Sequence, residues 1–178
     1  YMGLHSLITT RNVINKEFSF YEVPFKLDVF DDKTFNESGI DFYATVTNIE
    51  SGEPEYFKLT KILEQMEILR ATSAMPFVSE IVEIDGKKYL DGGVSDAIPL
   101  DKCIELGYDR IIVVLTRVKE YRKKKSSDFF AKLMYKKYPK LIETMNKKYK
   151  VYNDTVEKII DLENKKEIFV IRPSRYID

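Results

Sequence analysis

The sequence predicts an α/β layered fold with a mainly parallel central sheet, on three observations. Strand-like and helix-like stretches alternate along most of the chain, the order expected of layered α/β domains. Ile111-Ile112-Val113-Val114-Leu115 is apolar throughout, as in a strand buried on both faces of a parallel sheet. With 178 residues, 44% hydrophobic and 33% charged, the chain is long and apolar enough to build a real core.

Element by element, residues 1–39 are the least regular. Leu4, Leu7 and Ile8 stand at helical spacing, ended by Asn12 or Asn15. Phe18 to Val23 reads as extended chain entering a turn at Pro24. Asp41 to Ile49, dense in β-branched and aromatic residues, is a strand. Ser51-Gly52-Glu53-Pro54 turns the chain and Glu55-Tyr56-Phe57 returns as a short strand. A helix capped by Thr60 runs through Leu63, Met66 and Leu69 to Ala74 and is stopped by Pro76. Ile81–Ile84 and Lys88–Leu90 flank Asp85-Gly86 and form a hairpin with a type I′ turn. Pro99 to Leu106 is a short helix with proline in its first turn and Gly107 past its end. After the strand Arg110–Thr116 come a basic loop, Arg117–Ser127, and helices over 128–138 and 139–163. The second helix repeats Ile142, Met145, Tyr149, Tyr152, Val156, Ile159 and Ile160 as one apolar stripe. Ile168–Ile171 is a last buried strand before Arg172-Pro173.

No apolar run approaches the roughly 20 residues that span a bilayer. One cysteine, Cys103, permits no internal disulfide and fits a reducing, cytoplasmic setting. The chain opens on Tyr1, and residues 1–15 lack a basic stretch followed by an apolar one, so we expect that a segment has been removed upstream, where a signal would be invisible. Charge is balanced overall, yet residues 117–150 carry 13 Lys and Arg against 3 Asp and Glu. Within that span Arg117, Lys119, Arg122, Lys123, Lys124 and Lys125 are candidates for peripheral contact with an anionic membrane, against the plainer reading of a solvated loop and helix face. Nothing points to nucleic acid.

Several chemistries fail on residue inventory. The sole histidine, His5, stands in an expected helix with no motif beside it and reads as a helix residue rather than a base. One histidine and one cysteine make a transition-metal site improbable, and no cofactor is expected. Neither a dinucleotide fingerprint nor a P-loop is present. No two of the seven glycines stand four apart, so the G-x-S-x-G nucleophile elbow is absent. What remains is Asp91-Gly92-Gly93 at a strand end. Glycines there permit positive φ or close approach of another backbone, although an isolated D-G-G is an ordinary turn.

The context of that turn is more specific. Ala71-Thr72-Ser73-Ala74-Met75-Pro76 ends a helix; a hairpin then delivers Tyr89-Leu90-Asp91-Gly92-Gly93-Val94, followed by Ala97-Ile98-Pro99. This ordered block resembles the patatin-like phospholipase family, in which A-S-x-x-(I/L)-P precedes Y-x-D-G-G-(V/I)-x-D-x-x-P. Ala44 to Glu53, and the helix and strand from Cys103 to Thr116, look like neighbouring elements of that family. The resemblance covers roughly residues 42–117; the helices beyond look like its bacterial branch.

The resemblance implies the C-terminal portion of a three-layer α/β/α catalytic domain over residues 1–116. A basic loop, helical extension and final strand over 117–178 would pack on that same domain. It also implies acyl ester hydrolysis by a Ser-Asp dyad on a lipid or acyl ester substrate, with Asp91 as the base. Gly92 and Gly93 would shape the site. The nucleophilic serine and glycine-rich oxyanion segment would lie outside these residues, leaving this chain alone inactive. Ser73, like Ser51 and Ser79, reads as a helix-end or turn residue, not a substitute nucleophile. Asp96 reads as a turn former or as the cap of the helix near Pro99, ahead of any catalytic role. The alternative is a member with a decayed site, serving as a binding or scaffolding domain.

Overall fold

The computed structural model describes Gly3, Ser6, Asn12, residues 15–127 and residues 129–176. His5 and the expected helix around Leu4, Leu7 and Ile8 lie outside the described residues, as does Asp128.

Two short hairpins make the main sheet. β1 (Phe42–Asn48) and β2 (Pro54–Leu59) pair antiparallel, as do β3 (Val82–Ile84) and β4 (Lys87–Asp91). β1 and β4 then join them antiparallel, with Val46 opposite Asp91 and Thr47 opposite Leu90, in the order β2-β1-β4-β3. This corrects the expectation of a mainly parallel central sheet. Tight turns can only reverse a chain, whereas parallel neighbours need a crossover of a dozen residues or more. Among the described residues the one parallel pair is β5 (Ile111–Val114) with β6 (Ile168–Ile171), joined by such a crossover and separate from the main sheet. The Asp85-Gly86 turn is as the sequence predicts, with φ of 50° and 76° at its two central residues.

The helices are α1 (Asp32–Glu37), α2 (Met66–Thr72), α3 (Leu100–Glu105), α4 (Phe129–Met134) and α5 (Pro139–Asn164). α2 starts later than the sequence suggests. Thr60 is not its cap: Gln65 Oε1 accepts from the backbone N–H groups of Thr60 and Lys61 and holds 60–65 as a turn. Glu17–Leu27 is π-helical rather than extended, with Pro24 inside it. Packing decides this, since Phe20 and Tyr21 lie against Ala44, Leu59, Met66 and Ile68, and the Tyr21 hydroxyl donates to Glu67.

The largest core joins Val46, Ile49, Ala71, Ala74, Val82, Tyr89, Leu90, Val94, Tyr135 and Leu141. Strands β1 and β4, helix α2 and the start of α5 are thereby fastened together around the end of β4. A second core, of Leu100, Val113, Ile159 and Ile168, sets one face of the β5–β6 pair on α3 and α5. The other face is open: Ile112 is 64% exposed and Val114 68%. The expectation that this strand is buried on both faces is therefore corrected, because helices cover a two-stranded pair here on one side only.

Candidate active site

Asp91 is the last residue of β4, and backbone bonds fix it from two directions. Its N–H donates to the Ala74 carbonyl at 2.9 Å, tying the strand end to the end of α2. Its carbonyl accepts from Thr47 Oγ1 at 2.8 Å, and that hydroxyl also meets Ser95 Oγ at 2.7 Å. The side chain is half-buried, and its Oδ1 accepts from Gly93 N–H at 2.6 Å. That bond closes a turn two residues ahead and leaves the second carboxylate oxygen available to another partner.

The two glycines work differently from the sequence argument about positive φ. Neither has it. A Cβ on Gly92 would stand 2.2 Å from the Thr45 carbonyl oxygen, so the short helical turn Gly92–Val94 runs flush against β1. A Cβ on Gly93 would come within 3.0 Å of Asp91 Oδ1. Close approach, not backbone conformation, is the reason for glycine at both positions.

A cavity of about 430 Å³ opens in front of Asp91. Met75, Pro76, Phe77, Val94, Ala131 and Met145 give it an apolar wall. Phe77 holds a φ of +72°, a strained conformation for an aromatic residue, and its N–H donates to the Tyr135 hydroxyl at 3.0 Å. Val78, Gly93 and Ala97 line the same space, and polar groups from the second half of the chain complete it: Lys123, Ser126, Ser127, Asn146 and Lys148. Burial and the neighbouring Lys148 push the Lys123 ammonium below the ordinary lysine range; Asp91 opposes the shift and Arg117 adds to it.

Of the residues singled out from sequence, Asp91 and Gly93 line this cavity, while Gly92 packs behind it. Asp96 is no helix cap. Its carboxylate accepts from the Tyr56 hydroxyl at 2.6 Å, while α3 begins at Leu100 with Pro99 in the cap position and no side-chain cap. Burial and that bond to Asp96 raise the Tyr56 phenol well above its ordinary pKa. Ser73 is indeed a helix-end residue, its hydroxyl donating to the Leu69 carbonyl at 2.9 Å. The basic segment divides. Arg117, Lys119, Lys124 and Lys125 are exposed, Arg122 is tied to Glu157 at 2.6 Å, and Lys123 turns inward over the Tyr152 ring at 4.1 Å.

Lys123 in a pocket role, Ser126, Ser127, Asn146 and Lys148 were missed by sequence reasoning. Lys148 alone left a signal. It stands between Met145 and Tyr152, three and four residues away, on the inward stripe of α5, where an apolar residue is the norm. Among the described residues no group of three or more His, Cys, Asp or Glu side chains is placed to hold a metal, and no helix is long and apolar enough to cross a membrane.

Comparison with known proteins agrees with the family resemblance. The "Uncharacterized protein YjjU" of Escherichia coli (strain K12) is 37% identical over 81 residues, an alignment covering 45% of this chain and 22% of that protein. The chain thus spans about a fifth of the length of the relative it matches. The domain of unknown function DUF6363 matches residues 138–178, which hold α5 and β6. The model of patatin-like phospholipase matches residues 8–104, more than half of the chain and its N-terminal part. That placement conflicts with labelling the chain as a whole a C-terminal portion of the family's domain. The match takes in β1 to β4 and Asp91, and the chain belongs to the patatin-like phospholipase family.

Proposed function

We propose that this chain supplies the aspartate of a Ser-Asp dyad in a lipid acyl ester hydrolase, with Asp91 as the base and the nucleophilic serine on a segment beyond these residues. The observation that carries the reading is a half-buried carboxylate in the lining of a largely apolar cavity. One of its oxygens is held by Gly93 N–H and its backbone is pinned to both β1 and α2. A carboxylate is by itself a weak base for a serine hydroxyl. It becomes effective when hydrogen-bonded to that hydroxyl in a partly desolvated site, with an oxyanion stabilised by preorganised N–H donors. The serine would attack the ester carbonyl as Asp91 takes its proton. The alcohol leaves with that proton, and water then hydrolyses the acyl-serine by the same route.

In the whole protein, Asp91→Asn is expected to lower turnover of short p-nitrophenyl esters at least a hundredfold, on the order of a lost general base. Turnover within a few-fold of the unmodified protein would refute the dyad and leave a non-catalytic binding or scaffolding domain. These 178 residues alone should show no specific serine labelling by a fluorophosphonate, and clear labelling would place the nucleophile within them.

The same reading includes peripheral contact with an anionic membrane through the exposed Arg117, Lys119, Lys124 and Lys125. Each such cation near the surface contributes about 1 kcal/mol. Reversing Lys119, Lys124 and Lys125 to Glu should weaken sedimentation with phosphatidylserine vesicles; unchanged sedimentation would remove this contact.

A further inference from the structure

Part of the Asp91 cavity is lined by residues outside the 8–104 match, and apart from Asp91 itself the polar side chains of the lining are all among them. Two lysines from separate elements stand in that lining. Lys148 comes from the inward stripe of α5, and Lys123 from the loop before α4. Both are half-buried, and neither is in an ion pair among the described residues. The loop that presents Lys123 is fixed to α5 by paired bonds: Lys123 N–H donates to Asn153 Oδ1 at 2.8 Å and Asn153 Nδ2 to the Lys123 carbonyl at 3.0 Å. Its side chain is steered by the Tyr152 ring, and that ring packs edge-on to Tyr121 at 6.0 Å.

Two like charges in the lining of one half-enclosed cavity repel each other, and Asp91 in the same lining compensates only in part. A bound anion relieves this. Ammonium groups act as point-charge partners of phosphate, and Ser126, Ser127 and Asn146 in the same lining add hydroxyl and amide groups. The apolar part of the lining, with Met75, Pro76, Phe77 and Met145, suits an acyl chain.

We propose that Lys123 and Lys148 form the headgroup subsite of the Asp91 cavity and select a phosphate-bearing lipid ester of net negative charge. This rests on the reading of the cavity as an ester site. It gives the residues matched by the domain of unknown function a role, that of supplying Met145, Asn146 and Lys148 to the substrate pocket.

Calorimetric titration of the full chain tests it, using dihexanoyl phosphatidylglycerol, dihexanoyl phosphatidylcholine and inorganic phosphate. The anionic lipid should bind roughly tenfold or more tightly than the zwitterionic one, and more tightly than inorganic phosphate, since both parts of the lining are engaged. Lys148→Gln, which keeps helix propensity, should cost about tenfold in affinity for the anionic lipid, as should Lys123→Gln, while Lys136→Gln on an exposed surface should not. Removing the repelling carboxylate with Asp91→Asn should tighten binding. Equal affinity for the two lipids, affinity unchanged in both lysine variants, or inorganic phosphate binding as tightly as the anionic lipid would each overturn the subsite. The outcomes separate the two proposals. Ester turnover retained by Asp91→Asn sinks the dyad without touching the subsite, and unaltered binding in the lysine variants sinks the subsite without touching the dyad.

Discussion

Gly92 shows how little room the site leaves at the scale of one residue. Its α-carbon is pressed on the β1 backbone, with the Thr45 carbonyl oxygen 2.2 Å from where a Cβ would stand, and backbone cannot swing aside as a flexible side chain can. Gly92→Ala should therefore destabilise the chain by about 1–3 kcal/mol, the range for overpacking, read as a lower urea midpoint at constant m. A loss below about 0.5 kcal/mol would show that the turn relaxes freely. Asp91 stands beside it with its backbone N–H and C=O both paired, so the carboxylate's position is set by the sheet and not by its own rotamer alone. The D-G-G pattern and the strand before it were legible in sequence. The pairing of Asp96 with Tyr56 was not, because those residues are 40 apart and meet only through strand packing.

Among the elements, α5 has the widest reach. Its first turns bring Leu141 into the core that holds Leu90 and Val94, and Thr144 donates to the Gly52 carbonyl at 2.8 Å. Further along, Lys148 faces the cavity and Ile159 reaches the β5–β6 pair. Leu141 is fully buried, so Leu141→Ala should cost about 2–5 kcal/mol. Because that cavity wall stands on the same turns, the variant should also weaken binding of the anionic lipid in proportion to the unfolded fraction at each temperature. Thermal unfolding followed by circular dichroism checks the first effect, and a shift in Tm under about 2 °C would contradict it. Helical periodicity disclosed α5 and its apolar stripe almost in full. The same method failed for Glu17–Leu27, whose aromatic density reads as extended chain and whose π-helical form is imposed by packing on α2.

Across the whole molecule, two sheets of different construction share the chain. β1 is paired on both sides, with β2 and with β4, whereas among the described residues β5 and β6 have only each other and one covered face. Amides of β5 and β6 should therefore exchange with deuterium roughly tenfold faster than those of β1, measured by mass spectrometry of peptic peptides. Equal protection would mean that the molecule opens as one unit. The exposed Ile112, Val114, Phe169 and Ile171 belong to this less protected pair.

The sequence by itself determined the hairpin at Asp85-Gly86, the inward stripe of α5, the strand that ends on Asp91 and the family resemblance around it. Each of these is a local pattern: a turn that needs positive φ, a helical period, an ordered motif. Only the tertiary structure decided that the main sheet is antiparallel, that the Ile111–Val114 strand has an open face, and that Lys123 and Lys148 line one cavity with Asp91. Strand order and pocket walls depend on contacts between residues far apart in the chain. A local apolar or basic run carries the same composition whether its neighbour is another strand, a helix or solvent.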